Sequence, residues 1–219
     1  MQMILVRHYK TAGNAANKII GWTDSPPAAG WNTDLAYVSK RLIESNIAID
    51  GICTSKLKRA RKTGEVYANN LSIRQQWNTE ALNEVNYGAM SKKNKCWVKQ
   101  NLPWHKVNPA KIYPGGESFL QMQRRSVSYI TWLARKHSRG SFLVVAHAGV
   151  IRALVCHFLE LEFAANLKQE VGHRYIGQFQ IESGCCLRYR ELGKPSGFVS
   201  SETIDHPWQL PTTDVSFSS

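Results

Sequence analysis

The sequence predicts an α/β protein with three layers, in which helices cover both faces of a mainly parallel central sheet. Short apolar runs typical of buried strands alternate with segments whose apolar residues recur at helical spacing. This alternation favours parallel strands that are joined by crossover helices. The composition, 43% hydrophobic and 20% charged among 219 residues, is typical of a globular protein and excludes a disordered or fibrous chain.

Five runs are predicted to be strands because they are short, apolar and bounded by polar or turn-forming residues. The final run is long enough for a hairpin, and its Ser-Gly pair is a turn signal. The runs cover residues 3–7, 50–54, 73–77, 142–146 and 178–190, with the hairpin turn at Ser183 and Gly184.

Helices are predicted where apolar residues form a stripe with helical period between these runs. A further apolar segment, Val150 to Leu159, follows the fourth run and also predicts a helix. The two stripes consist of Leu35, Val38, Leu42 and Ile43, and of Phe119, Val127, Ile130, Leu133 and Ala134.

The end of the chain differs in composition, because it is rich in serine, threonine and proline from about residue 193. Such a composition is typical of an extended or partly disordered tail. We therefore expect one domain over residues 1–192 and a tail over residues 193–219. Two alternatives stay open for the tail's Phe198, Trp208 and Phe217: they anchor it to the domain, or to a second subunit in a homodimer.

Charge and cysteine content limit the compartment and the partners. The formal net charge of +12 favours an anionic partner such as nucleic acid, an acidic membrane surface or a phosphorylated metabolite. The five cysteines are odd in number and lack C-x-x-C spacing, which favours a reducing compartment. The apolar start is too short for a signal peptide, and no run approaches the roughly 18 residues of a spanning helix. We expect a cytoplasmic protein without a membrane partner.

Candidate chemical groups follow three of the predicted strands, where ligands bind in open α/β sheets. Arg7 and His8 end the first strand, and His147 lies between the fourth strand and an apolar helix, whose N-terminus attracts anions. One such histidine would more often bond a neighbouring carbonyl, but two in equivalent places favour a shared anion site. The basic run 56–62 is mostly a solvated helix face, although Arg59 offers the planar fork that binds two phosphate oxygens.

Five stretches in this order, "RHYKTAGN", "TSKLKRARKT", "LNEVNYG", "PGGES" and "VVAHAGVIRAL", resemble the histidine phosphatase superfamily, also called the phosphoglycerate mutase-like family. The resemblance spans about residues 3–160. It implies a phosphoglycerate mutase-like fold and a phosphomonoesterase of the histidine acid phosphatase type. The substrate would be a small phosphorylated metabolite, and no cofactor or metal is expected.

The resemblance also implies a role for each matching residue. His8 would be the nucleophile that forms a phosphohistidine, and Arg7, Arg59 and His147 would surround the phosphoryl oxygens. Glu84 would donate a proton to the leaving group and later take one from water. These residue types suit phosphoryl transfer, which depends on positioning and on positive charge around the phosphoryl oxygens.

Further contacts and departures from the family pattern concern the pocket rim. Asn14 matches an asparagine that contacts the phosphoryl group. Thr23 lies in the loop "GWTDSPPAAG", residues 21–30, and would also contact that group, although this loop is shortened over residues 24–30. Tyr9 replaces a glycine and is expected to add bulk near the phosphate. The sequence after Gly88 introduces lysines that we expect to attract substrates with additional negative charge, namely Lys92, Lys93 and Lys95.

Two other functions stay open at this point. A cofactor-dependent phosphoglycerate mutase-type phosphotransferase is disfavoured because the segment Gly88 to Pro114 is short, as in the compact phosphatases. A basic, non-catalytic domain that binds phosphoesters or nucleic acid would explain the charge, but no recognised nucleic-acid module is present, and we expect no nucleic-acid partner. Four side chains of this segment either form a lid or pack onto the domain: Trp97, Trp104, His105 and Tyr113.

Overall fold

The computed structural model describes residues 1–105, 107–163, 171–192 and 215–216. The predicted tail, residues 193–219, therefore lies outside the described residues, except for Val215–Ser216. The described residues form one sheet with helices on both of its faces, so the predicted three-layer α/β architecture is confirmed.

Seven described strands form this sheet in the order β3-β2-β4-β1-β5-β6-β7. The first four in that order run parallel, and the β5–β6 hairpin extends the sheet antiparallel to β1. The strands are β1 (Gln2–Arg7), β2 (Gly51–Ser55), β3 (Gln76–Thr79), β4 (Ser141–Ala146), β5 (Ile176–Glu182), β6 (Cys185–Glu191) and β7 (Val215–Ser216).

Four of the six described α-helices pack on the sheet, and none of the six is long and apolar enough to cross a membrane. Alternate residues of β1 supply both layers of core: Met3 and Leu5 pack with α5 and α6, whereas Ile4 and Val6 pack with α2 and α3. The helices are α1 (Ala12–Ala15), α2 (Trp31–Glu44), α3 (Lys58–Leu71), α4 (Lys95–Asn101), α5 (Phe119–Lys136) and α6 (Ala148–Phe158).

Two details of the sequence prediction are wrong. Strand β3 begins at Gln76 instead of residue 73, because α3 ends in a left-handed Ser72 and the Ile73 amide still bonds to Ala68 of that helix. Ile43 is 60% exposed, because adjacent helix positions point about 100° apart and Leu42 takes the inward one. The hairpin turn is confirmed at Ser183 and Gly184.

The parallel strands bring the candidate residues to one edge of the sheet. Arg7 at the end of β1 is in register with Ala146 at the end of β4, and the end of β2 lies beside β4. His8 and His147 immediately follow β1 and β4, so both lie at this edge. Because α6 begins directly after His147, the positive end of its dipole also points there.

Candidate active site

His8 is held in one tautomer, with the lone pair of its Nε2 directed at Arg59. Its Nδ1 lies 2.6 Å from the carbonyl oxygen of Tyr9, which can only accept, so Nδ1 carries the proton. Its Nε2 accepts a hydrogen bond of 3.3 Å from Nε of Arg59. The side chain lines the cavity described below. Nε2 is therefore unprotonated, and it belongs to a residue of the cavity wall.

Burial and nearby positive charge keep this imidazole neutral. Desolvation is the main cause that holds the pKa of His8 well below its usual range, and Arg59, His147 and Arg7 add to the effect. A neutral imidazole is the nucleophilic form. The cations that would attract an anionic ligand thus also favour the neutral form of His8.

Arg59 connects His8 to the loop before α2. It lies in the first turn of α3 and donates to the carbonyl oxygens of Gly21 at 2.6 Å and Thr23 at 3.0 Å. Burial lowers its pKa to about 10, against the opposing charge of Glu84, so it stays charged at neutral pH. The Arg59 guanidinium is thus anchored by two backbone carbonyl oxygens, and its Nε donates a hydrogen bond to His8.

Arg7 lines the cavity from the end of β1. Its Nη1 donates to the carbonyl oxygen of Val171 at 2.6 Å, and burial lowers its pKa to about 10. Its Nε is buried and finds no hydrogen-bond partner among the described residues. A buried guanidinium with an unused donor suits an anionic ligand.

His147 lies behind His8, with ring centroids 4.9 Å apart, and is fully buried. Its Nε2 is 2.7 Å from the Ser55 hydroxyl, and its Nδ1 has no hydrogen-bond partner in the described part of the chain. Burial, followed by the charges of Arg59 and Arg7, holds its pKa well below the usual range. Its side chain does not line the cavity wall in this structure.

Glu84 faces the first turn of α6. Its Oε2 accepts from the Gly149 amide at 3.2 Å, and its Oε1 accepts from the Val85 amide at 3.0 Å. The carboxylate also lines the cavity that contains His8. The structure therefore brings a carboxyl group to the same cavity as His8 and the two arginines.

Asn14 and Thr23 differ in their positions. Asn14 lines the cavity, and its Oδ1 accepts from the amide and hydroxyl of Thr11 at the start of α1. The Thr23 hydroxyl donates to the carbonyl oxygen of Ile20 at 2.7 Å and does not line the cavity. Thr23 instead contributes its own carbonyl oxygen, which holds Arg59.

The cavity has a volume of about 210 Å³ and a strongly basic wall. This volume is below the roughly 300–1,000 Å³ of most ligand pockets, which indicates a small ligand. Glu84 is the single acidic side chain among the described residues that line it. The basic lining residues are Arg7, Lys18, Arg59, Lys95, Lys111 and Arg152.

Several of these basic residues were not predicted from the sequence. Arg152 lies one helical turn after Ala148, the residue that follows the second histidine, so this i, i+4 spacing was the available signal. Lys18 and Lys111 lie in connecting segments without such a pattern. Of the three lysines predicted to attract charge, Lys95 lines the cavity, whereas Lys93 stacks over Trp97 outside it.

Burial also affects Lys95 directly. Desolvation, together with the positive charges of Arg7 and Arg152, lowers the pKa of its ammonium group. These charges reach Lys95 because all three side chains line the same cavity. A ligand with a second anionic group would offset this repulsion.

The bulk of Tyr9 does not reach the cavity. Its ring is buried against Trp31, at 5.0 Å between centroids, in the core formed with α2. The expectation that Tyr9 adds bulk near the phosphate is therefore wrong, because its side chain points into the core between the sheet and α2. Its carbonyl oxygen still orients His8.

The aromatic group of residues 97–113 is mostly packed onto the domain. Tyr113 and His105 are buried and hydrogen-bonded to each other, and Trp104 stacks on Tyr113 at 5.0 Å between centroids. Tyr113 and His105 also line the cavity, so they form a fixed wall. Trp97 differs, because it is 43% exposed.

Comparisons with known proteins agree with this geometry. The family model described as "Histidine phosphatase superfamily (branch 1)" matches residues 3–187. A 2,3-bisphosphoglycerate-dependent phosphoglycerate mutase of Bartonella tribocorum is 29% identical over 94% of this chain and 98% of its own. A metal-independent phosphoserine phosphatase of Arabidopsis thaliana is 26% identical over 76% and 72%.

Among solved structures, mycobacterial glucosyl-3-phosphoglycerate phosphatase superposes with a TM-score of 0.74 at 20% identity, covering 87% of this chain and 96% of that one. This likeness supports the phosphoglycerate mutase-like fold. Since the Bartonella mutase matches over nearly its whole length, the short segment Gly88 to Pro114 does not by itself separate phosphatases from mutases.

Proposed function

The chain belongs to the histidine phosphatase superfamily, whose members act on phosphoesters, and from this premise we propose that it is a phosphomonoesterase that works through a phosphohistidine on His8. One observation carries the proposal. His8, whose Nε2 is unprotonated, lines a cavity together with two buried arginines and Glu84.

In the first step, Nε2 of His8 attacks phosphorus and the bond from phosphorus to the ester oxygen breaks. Arg7 and Arg59 stabilise the negative charge of the transferring phosphoryl group. The protonated carboxyl of Glu84 gives its proton to the departing oxygen, because an alkoxide is a poor leaving group. The products are an alcohol, a phosphohistidine and the Glu84 carboxylate.

In the second step, the Glu84 carboxylate takes a proton from a water molecule as the water oxygen attacks phosphorus. The bond from phosphorus to Nε2 breaks and inorganic phosphate forms. The Nδ1 proton of His8 stays bonded to the Tyr9 carbonyl throughout, which keeps the imidazole oriented for both steps. Glu84 ends protonated, and the cycle is closed.

The basic wall indicates the class of substrate. Arg7 and Arg59 serve the transferred phosphoryl group, and Lys95 with Arg152 lies in the same small cavity. We propose a small phosphomonoester with a second anionic group, such as a carboxylate. Phosphoserine and phosphoglycerate, after which similar enzymes are named, are phosphomonoesters of this kind.

A matched pair of lysine variants tests the substrate class. Lys95→Met should lower kcat/KM for phosphoserine by about tenfold relative to glycerol 3-phosphate, because one charge contact is worth roughly 1–2 kcal/mol. Lys93→Met removes the same charge outside the cavity and should leave the ratio unchanged. Equal effects of the two variants would contradict the proposed contact.

A mutase is the second candidate, favoured by the Bartonella relative and by the basic cavity, which suits a bisphosphorylated species. The test is to incubate the protein with 3-phosphoglycerate, with and without 2,3-bisphosphoglycerate. Release of inorganic phosphate supports the phosphatase. Accumulation of 2-phosphoglycerate without phosphate release supports the mutase.

The main experiment measures hydrolysis of 4-nitrophenyl phosphate and glycerol 3-phosphate with a chelator present. We expect His8→Ala to abolish both activities. Glu84→Gln should lower the rate of alcohol release much more for glycerol 3-phosphate, because nitrophenolate leaves without a proton. Activity that survives His8→Ala would refute the proposed mechanism.

A further inference from the structure

The backbone around Glu84 is held by one side chain of α5. The guanidinium of Arg125 donates to the carbonyl oxygens of Glu80, Ala81 and Glu84, at 3.0, 2.8 and 2.9 Å. Three backbone acceptors on one guanidinium fix the path of the segment that carries Glu84. Arginine is suited to this task because its donors form a rigid planar fork.

Glu117 completes the arrangement from the turn before α5. Its carboxylate accepts two hydrogen bonds from Arg125, at 2.7 and 3.1 Å, and a third from the Asn86 amide at 2.8 Å. The side chains of Arg125 and Glu117 are 22% and 17% exposed, so the ion pair is largely shielded from solvent. Hydrogen bonds thus hold the backbone before Glu84, at Glu80 and Ala81, and after it, at Asn86.

Trp22 adds a contact from the loop before α2. Its Nε1 donates to the same Glu84 carbonyl oxygen that Arg125 binds, and its ring lies 5.9 Å from the guanidinium carbon. Trp22 also follows Gly21, whose carbonyl oxygen holds Arg59. The backbone of the proton donor is therefore tied to the loop that holds a phosphate-binding arginine.

Regular secondary structure does not provide this support. Residues 83–87 connect two short 3₁₀ turns and belong to no helix or strand. A catalytic carboxyl must be held within about 0.5 Å of its productive position. Side chains must supply that restraint where helix or strand does not.

We propose that Arg125 and Glu117 are positioning residues for the proton donor Glu84, an inference that rests on the proposed function. Neither side chain lines the cavity. Their effect reaches the reaction through the position of the Glu84 carboxyl group. Their loss should therefore impair proton transfer to the leaving group more than attack on phosphorus.

The test measures the phosphorylation step in a single turnover with two esters. Arg125→Met should slow alcohol release from glycerol 3-phosphate by about 10- to 100-fold, part of the roughly 10²–10⁴ that a positioned acid contributes. The nitrophenolate burst from 4-nitrophenyl phosphate should slow by less than about threefold. Arg124→Met, which removes an exposed arginine at the adjacent position of α5, should leave both rates unchanged.

A second variant keeps the test decisive if Arg125→Met fails to fold. Glu117→Gln preserves the shape of the side chain but weakens its hydrogen bonds with Arg125. It should slow alcohol release by a smaller factor than Arg125→Met, again more for glycerol 3-phosphate than for 4-nitrophenyl phosphate. The double variant should be little worse than Arg125→Met alone, because the two residues act as one unit.

Equal slowing of the two esters by either variant would overturn the positioning role, since it would indicate general damage to the site. So would an unchanged rate for both esters. These outcomes differ from failure of the proposed function, in which the natural protein itself would show neither a nitrophenolate burst nor a phosphohistidine.

Discussion

Gly149→Ala should separate the proposed catalytic role of Glu84 from the stability of the fold. Gly149 is the second residue of α6, and a Cβ atom built on it would overlap Oε1 of Glu84 and lie 3.1 Å from Cδ. Carbon atoms in contact are normally about 3.5–4.0 Å apart. The carboxyl group must therefore retreat by about 1 Å, and it can do so because it ends a flexible side chain.

The two consequences have different magnitudes. Alanine in place of helical glycine gains about 1 kcal/mol, which roughly offsets the lost hydrogen bond and a strained rotamer of Glu84. The free energy of unfolding should thus change by less than about 1 kcal/mol. A catalytic group that moves by about 1 Å can cost about 100-fold in rate, or about 2.7 kcal/mol.

The assay is kcat for glycerol 3-phosphate, with urea unfolding measured on the same preparations. Gly172→Ala is the matched control, because a Cβ atom there meets nothing within 4 Å. We expect Gly149→Ala to lose about 100-fold in kcat at unchanged stability and Gly172→Ala to lose neither. Full activity of Gly149→Ala would refute the placement of Glu84 against α6.

Three further predictions follow from the site. Burial lowers the pKa of His8, His147 and His173, to about 4 for His173, so the unfolded chain binds protons that the folded chain does not. The free energy of unfolding should therefore decrease as pH falls below about 6.5, by up to about 1.4 kcal/mol per pH unit for each histidine. Urea unfolding measures it, and a free energy of unfolding that stays constant between pH 7 and 5 would contradict this. Tyr9→Ala should cost about 3–5 kcal/mol of stability while kcat of the folded protein changes less than threefold, because the ring lies in the core; a large loss of kcat would place it in the site. Arg59→Lys should lower kcat/KM at least 100-fold, because lysine cannot replace the fork that bonds two carbonyl oxygens and the nucleophile, and steady-state kinetics with 4-nitrophenyl phosphate will measure it.

The strand ends were predictable from the sequence because apolar runs and turn residues mark them locally. Arg7, His8 and His147 follow such runs directly, and parallel strands bring their carboxyl ends to one edge. Glu84 is different, since no local pattern places it near them. Its assignment came from the resemblance, and its contact with Gly149 depends on how α6 packs.

Tertiary packing decided what the sequence left open. The direction of the Tyr9 ring depends on the position of α2, because the ring packs against Trp31 of that helix. Lys95 and Lys93 are two positions apart, yet the first lines the cavity and the second does not, because the turn before α4 directs them differently. The contacts of Arg125 with backbone carbonyls could not be predicted, because every residue offers the same carbonyl group.

Direct detection of the phosphorylated enzyme tests the central claim most directly. The Glu84→Gln variant should break down the intermediate slowly, so it is mixed with 4-nitrophenyl phosphate, quenched under alkaline denaturing conditions and mapped by mass spectrometry. The account predicts one phosphoryl group on His8, labile in acid and formed as fast as the nitrophenolate burst. Turnover without a phosphoryl adduct on His8, or with an adduct on another residue, would contradict it.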